Sequence, residues 1–484
     1  MFSITLLVLF LVAMIFVGIW GMRKTKTLSD FFLGGRSVGP WFSAFAYGTT
    51  YFSAVIFIGF AGKVGWGFGL RGLWVAVGNA VIGALLAWLV LGRRTRRMTQ
   101  NLDTMTMPEF FHERFSGKYI KMISAALIFI FLIPYSASVF KGLGHLFEAT
   151  FHIPYDAALF IMIAITGIYL VLGGYFAVTL TDFIQGMIMI GGAILMVSIL
   201  VAQAGGFPAA ISTIIQNYSQ HVPIAKQPNG LMLGALIFMT SFGVWGMPQM
   251  VQKFYAVKDE SVITKAAIVT FFFAMVITVA AYFTGALLHV FCDKVTMFGG
   301  KPAFDRLIPD LLTTHLPEPI MAVILLLVLS ASMSTLSSLV LVAASSVAID
   351  LYKGHINPKI PKEKSLMMMR FLSALFIIIS YLIARYEFAV IVTLMSLSWG
   401  VIAGAFMAPY IFGLFWRRTT IYGVKAGMTA GVVCAIALFF ILGADRSPIA
   451  SSVAIIVPFF IVPAVSLLTK PPSKIIIDKA FKGI

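Results

Sequence analysis

Six hydroxyl side chains fall within one apolar stretch, LLLVLSASMSTLSSLVLVAASS: Ser330, Ser332, Ser334, Thr335, Ser337 and Ser338. At helical pitch Ser334, Ser337 and Ser338 share a face, and Thr335 lies one turn beyond Ala331. Sodium is a hard cation that wants several oxygens. Hydroxyls, together with carbonyls freed from a broken helix, supply them without the proton affinity of a carboxylate. The same small residues would also let two helices approach closely, so periodicity alone leaves both readings open.

Asp182, in GGYFAVTLTDFIQG, is the acid that needs an explanation. An ionisable group inside a membrane segment costs at least about 2.5 kcal/mol without a partner. It reads as a site residue, with an interfacial position near the end of its segment as the alternative. Lys141, in PYSASVFKGLGHLFEATF, is followed at helical spacing by His145 and Glu148. It reads either as a cation facing a solute carboxylate or as a side chain reaching back to water beside a solvated acid. Other chemistries lack their motifs. His112-Glu113-Arg114 breaks the metalloprotease pattern, no P-loop is present, and Cys292 and Cys434 sit in separate segments. The chain therefore reads as no enzyme, with no organic cofactor and no ATP-driven step.

The elements that must hold these groups are membrane helices. Of the 484 residues 60% are hydrophobic and 11% charged, against about 25% charged in an ordinary soluble domain. Apolar runs of about 20 residues, long enough to span, fall at 3–22, 41–61, 70–92, 119–148, 155–173, 178–204, 230–252, 266–292, 318–350, 366–385, 388–416, 421–443 and 447–469. The first carries no A-x-A-like cleavage site and reads as a retained span. Alternate connections share a side. One set, with Lys253 counted into its third loop, holds 23 Lys and Arg, and the other seven. This predicts the N-terminus outside and the C-terminus cytoplasmic, in a plasma (inner) membrane. The net charge of +17 then belongs to cytoplasmic loops in contact with a lipid bilayer, with no nucleic acid as partner.

Two spans are poor continuous helices. The second runs SAFAYGTTYFSAVIFIGFAG, with Gly48 followed by Thr49, Thr50 and Tyr51; the seventh, five spans later, crowds Gly243, Gly246 and Pro248 into one turn. Broken backbone at membrane depth is tolerated only where protein or a water-filled cavity satisfies the freed groups. Breaks opening two five-span units are what an inverted repeat predicts. The expected organisation is a leading helix and loop (1–37), a first five-helix repeat (38–204), an outer loop (205–229), a second inverted repeat (230–416) and two trailing helices with a cytoplasmic tail (417–484).

Four stretches, DFFLGGRSVGPW (30–41), PEFFHERF (108–115), GGYFAVTLTDFIQ (173–185) and SASMSTLSS (330–338), resemble in order the sodium:solute symporter family, whose members carry proline, pantothenate, sugars, sialic acid and monocarboxylates. The resemblance implies an all-α integral membrane protein of leucine-transporter-like fold, about 13 helices with two inverted five-helix repeats. It implies one sodium site from backbone oxygens of Thr49, Phe52 and Ala331 with the hydroxyls of Ser334 and Thr335. A second, found in some members, would use Asp182, Ser334, Ser337 and Ser338, giving one or two sodium ions per cycle. The solute pocket is expected between the breaks and the fourth span, from Tyr47, Gly48, Tyr51, Tyr135, Lys141, Phe242, Gly243 and Trp245. TTYFSAVIFIGF looks more like the pantothenate and monocarboxylate branches, since sodium/proline members carry an acid where this chain has Tyr51. The implied function is sodium-coupled symport of a small carboxylate-bearing solute by alternating access. A proton-coupled carrier of the same fold, a sodium/proline symporter and a non-transporting solute sensor are the alternatives. The short tail after residue 469 disfavours the sensor, and the lack of a filter-like motif disfavours a channel.

Overall fold

In a bilayer every backbone polar group must be satisfied within its own segment or by neighbouring protein, and the apolar runs accordingly fold as helices. The computed structural model describes residues 2–24, 33–172, 175–298, 300–357 and 359–484. Lys26 and residues 30–32 of the first loop, and Gly173 and Gly174 ahead of the Asp182 segment, lie outside them. Helix α1 (Phe2–Lys24) leads. Helix α2 (Pro40–Tyr51) starts on Pro40, whose fixed φ suits a first turn. It stops at Phe52, which is extended at φ −114° and ψ 123°. The chain becomes helical again at Val55, where the Ser53 hydroxyl accepts from the Val55 amide, and runs into α3 (Ala61–Phe68).

At Gly69, with φ +53°, the chain turns, and residues 73–102 run back past Thr278 and Ile263. The Tyr218 hydroxyl donates to Gly67 O at the turn, while Arg96 donates to the Val257 and Lys258 carbonyls at the far end. Those partners explain why helix continues ten residues beyond the apolar run expected at 70–92, through a basic stretch expected as loop. There follow α4 (Lys118–Phe151), α5 (Tyr155–Leu172) and α6 (Tyr175–Gln203).

The second break has a clear local cause. Helix α7 (Gly230–Phe242) ends in a tight turn over Gly243–Gly246, and α8 (Pro248–Ala256) begins on a proline that lacks a donor and forces Met247 to be extended. The two halves meet at 49°. Then come α9 (Ser261–Ala286), α10 (Glu318–Ser345, continued in wider turns to Ile356), α11 (Lys362–Arg385), α12 (Ile391–Phe415), α13 (Ile421–Leu442) and α14 (Ser447–Leu468). Helices α10 and α12 are almost wholly enclosed, whereas α13 is mostly open to the surroundings. Helix α10 packs on α6, α4, α1 and α2, and α12 on α4, α13 and α14. Gly65 and Gly285 set the crossing of α3 and α9, since a Cβ at either would collide with backbone of the other helix.

Among the described residues nine helices are long and apolar enough to cross a membrane, and the bent pair α7–α8 makes a tenth. One of the nine, Val55–Leu102, has 48 residues and contains the turn at Gly69. Phe2–Val17 and Tyr155–Ala164 are shorter apolar helices. The basic loops gather at one end of the bundle. There Arg36 reaches Thr104 O, Arg94 reaches Leu414 O, and Arg114 reaches the Gly413 and Trp416 carbonyls.

Candidate functional site

A helix that ends inside a bundle leaves its last four carbonyls without helical partners, and α2 ends this way at Tyr51. The Gly48 carbonyl accepts from the Phe52 amide. The Thr49 and Thr50 carbonyls point to α10, where Thr335 Oγ1 lies 3.3 and 3.1 Å from them and 3.1 Å from Ala331 O. One hydroxyl proton faces three carbonyl oxygens. Next to it, Ser334 Oγ lies 2.7 Å from both Thr49 Oγ1 and Asp182 Oδ1. The carboxylate is the stronger acceptor and takes the Ser334 proton, while Thr49 directs its own at Phe45 O, 2.8 Å away. Three hydroxyl protons, from Thr49, Ser334 and Thr335, thus face four carbonyls, the carboxylate and one another's oxygens. An enclosed cluster of oxygens short of protons, at the negative end of a helix dipole, has the chemistry of a ligand set for a small cation. Thr49, Ala331, Ser334 and Thr335 are brought together here. Phe52, extended at the same break, carries its carbonyl out of the helical ladder.

Asp182, on α6, is fully buried in the protein. Its Oδ2 faces Lys253 Nζ of α8 at 3.7 Å, and the same ammonium donates to Ser338 Oγ at 3.1 Å. Ser338 is also 3.0 Å from Thr50 Oγ1, and Ser337 turns its hydroxyl to Ser334 O. Lys253, counted among the loop cations from the sequence, is thus a bundle residue with 1% of its surface exposed. It faces Asp182 and Ser338, two of the four residues expected to hold a second sodium ion. Adding a second cation about 4 Å from a fixed ammonium in such surroundings is opposed by about 4 kcal/mol.

The two breaks lie against each other. Tyr51 donates through its hydroxyl to Thr240 O at 2.6 Å, and Tyr47 stacks on Phe254 at 5.6 Å. Beside them is a cavity of about 20 Å³ lined by Tyr51, Phe52, Ser53, Val55, Ile56, Phe60, Asn79, Tyr135, Thr240, Tyr282 and Met395. It has room for about one water, so the pocket is closed in this conformation. Of the residues expected to line it, Tyr51 and Tyr135 do. Tyr47 is set behind it, donating to Gly83 O, and Gly48 packs on Phe273. Gly243 lies against Trp399, which stacks on Tyr51 and meets Tyr135 edge-on, and Trp245 next to Phe242 donates to Ile82 O. Asn79, whose Oδ1 accepts from Thr240 and Ser241, and Tyr282 were not foreseen. A lone asparagine in the apolar run VAVGNAVIGALL was the available signal.

Lys141 is elsewhere. Its ammonium is 2.9 Å from Asp305 Oδ2 and donates to Ala389 O, and Asp305 also accepts from the Ile391 amide. It is nearly buried instead of reaching to water. With Glu387, Arg306 and His145 this pair lines an open vestibule of about 380 Å³. Ile391 packs on Gly59, and Met395, one turn along α12, lines the cavity at the break. The opposite end is tied shut. Val38 bridges to Val257, Thr106 donates to buried Asp350, and Lys121 pairs with both Asp350 and Glu109.

Residues 31–431 match the model of the Sodium:solute symporter family. An osmoregulated proline transporter of Bacillus subtilis is 30% identical over 96% of this chain and 94% of its own length. A sodium/proline symporter of Salmonella typhimurium is 30% identical over 88% and 86%. Among solved structures, a Na+-coupled sialic acid symporter superposes with a TM-score of 0.81 at 18% identity, covering 98% of both chains. A nucleobase-cation-symport-1 family transporter superposes with a TM-score of 0.56 at 15% identity, over 94% of this chain and 99% of its own. The chain has their fold, the all-α leucine-transporter-like fold expected from the sequence.

Proposed function

We propose that this chain, which belongs to the sodium:solute symporter family and is a multi-pass membrane transporter and not an enzyme, couples inward sodium movement to uptake of a small carboxylate-bearing solute. The observation that carries this reading is the crowd of proton-poor oxygens from Thr49, Ala331, Ser334 and Thr335 between a broken helix and α10. A sodium ion there, with Phe52 O completing the set, pulls α2 onto α10 and fixes the break next to the cavity. Sodium thereby favours solute entry from the vestibule. Loss of the ion toward the basic end, once the Asp350–Lys121–Glu109 tie opens, releases both. The helix that begins at Val55 and the start of α8 turn their positive dipole ends to the break, and these suit a carboxylate.

Proline is the first solute to test, because relatives named for its transport align over most of their length. Tyr51, donating to Thr240 O, and the aromatic wall of Tyr135 and Trp399 leave room in this reading for pantothenate-like acids and monocarboxylates. The proposed arrangement is thirteen crossings in two inverted five-helix units, with Val55–Leu102 bent into two passes. The N-terminus is outside and the basic end cytoplasmic, in the plasma membrane, by the distribution of Lys and Arg.

The test is uptake of radiolabelled proline, other amino acids, monocarboxylates, pantothenate and sugars into proteoliposomes of the purified chain, with and without an inward sodium gradient. We expect one carboxylate-bearing class to accumulate only with sodium. Accumulation driven by a proton gradient and indifferent to sodium would transfer the coupling to protons. A sodium-driven neutral sugar as the best solute would remove the carboxylate.

A further inference from the structure

We infer that Lys253 is a tethered cation that takes the place of a second sodium ion, so that this chain moves one sodium per solute. The inference rests on the reading of Ser334 and Thr335 as the first sodium site and deepens it.

Lys253 sits on α8, the second half of a broken span. Its ammonium lies between Asp182 Oδ2 of α6 at 3.7 Å and Ser338 Oγ of α10 at 3.1 Å, with Ser338 in turn on Thr50 of α2. Four helices thus meet at one positive charge. Residues with the oxygens for a second ion, Asp182, Ser334 and Ser338, already face it or one another. Asp182 is the only carboxylate in contact with the cluster among the described residues, and the ammonium balances it. With the first sodium ion bound, a second one there leaves the enclosed cluster with two positive charges in excess. Ser337, the fourth candidate ligand, has its hydroxyl turned back to Ser334 O. Asp182 also holds the Ser334 hydroxyl, so the ammonium and the first sodium site share one carboxylate. Lys253 therefore supplies the second ion's electrostatic role permanently, with no concentration dependence.

The experiment uses the full chain in proteoliposomes, with the solute that the uptake panel identifies. The reversal potential of coupled flux is measured at several imposed sodium and solute gradients, along with the Hill coefficient for sodium activation. We expect one sodium per solute and a Hill coefficient near one. Lys253→Met should leave Asp182 open to an ion and move the Hill coefficient toward two, with at least about a tenfold rise in the half-activating sodium concentration. Lys253→Arg should stay near one. A wild-type stoichiometry of two overturns the inference while leaving the symport reading intact, and this arm needs no variant to fold. A folded Lys253→Met protein whose Hill coefficient stays at one overturns it as well. Absence of any sodium dependence in the wild type removes the symport reading and the inference together.

Discussion

Replacing Ser334 and Thr335 together by alanine is expected to raise the sodium concentration that half-activates uptake by at least about 100-fold, while the purified protein stays folded. Each hydroxyl oxygen facing a cation is worth about 1.5–3 kcal/mol when the partner is charged, and two such losses correspond to two or more decades. The fold should tolerate the change. Both side chains are small, and Thr335 shares one proton among Thr49, Thr50 and Ala331 carbonyls that stay together through the packing of α2 on α10. Ser334→Ala alone removes one ligand and also the donor that Asp182 uses, so it should account for the larger part. Sodium titration of uptake, beside gel filtration of each variant, is the check. A double variant with wild-type sodium dependence would move the ion to another place in the bundle.

Lys141→Ala should destabilise the protein by about 3–5 kcal/mol, because it leaves the buried Asp305 carboxylate with the Ile391 amide as its remaining close donor. The double variant Lys141→Ala/Asp305→Asn should recover most of that loss, since it removes both charges of the pair. The yield of monodisperse protein in detergent and its resistance to heating report the difference. A different outcome has a direct meaning. If Lys141→Ala is as stable as wild type but needs at least about ten times more solute, the lysine meets the solute carboxylate, as one reading of its sequence position allows.

Much of the oxygen cluster was legible because it depends on local rules. Hydroxyls at helical spacing around Ser334 define a face, and Gly48 with two threonines marks a helix end whose carbonyls need partners. Asp182 stood out because a membrane acid requires a partner. The partner itself did not stand out, since Lys253 follows the break by only five residues in QMVQKFYAVKD and reads as the start of a basic loop. Length could have corrected that reading. Five residues of helix advance about 7–8 Å from a mid-membrane break, well inside a half-thickness of about 15 Å. The cavity was less legible for a different reason. Its wall comes from Asn79, Thr240, Tyr282 and Met395 on four separate segments, and only the angles at which those helices cross bring them together. Lys141 and Asp305, 164 residues apart, pair for the same reason.

The claim that sodium and solute share one cycle is tested most directly in reverse. Proteoliposomes with equal sodium on both sides are given an inward gradient of the solute identified by uptake, and entry of radioactive sodium is followed with the membrane potential clamped at zero. The account predicts sodium accumulation above its equilibrium level that disappears in the Ser334→Ala/Thr335→Ala variant. Solute entry with no net sodium movement would contradict it.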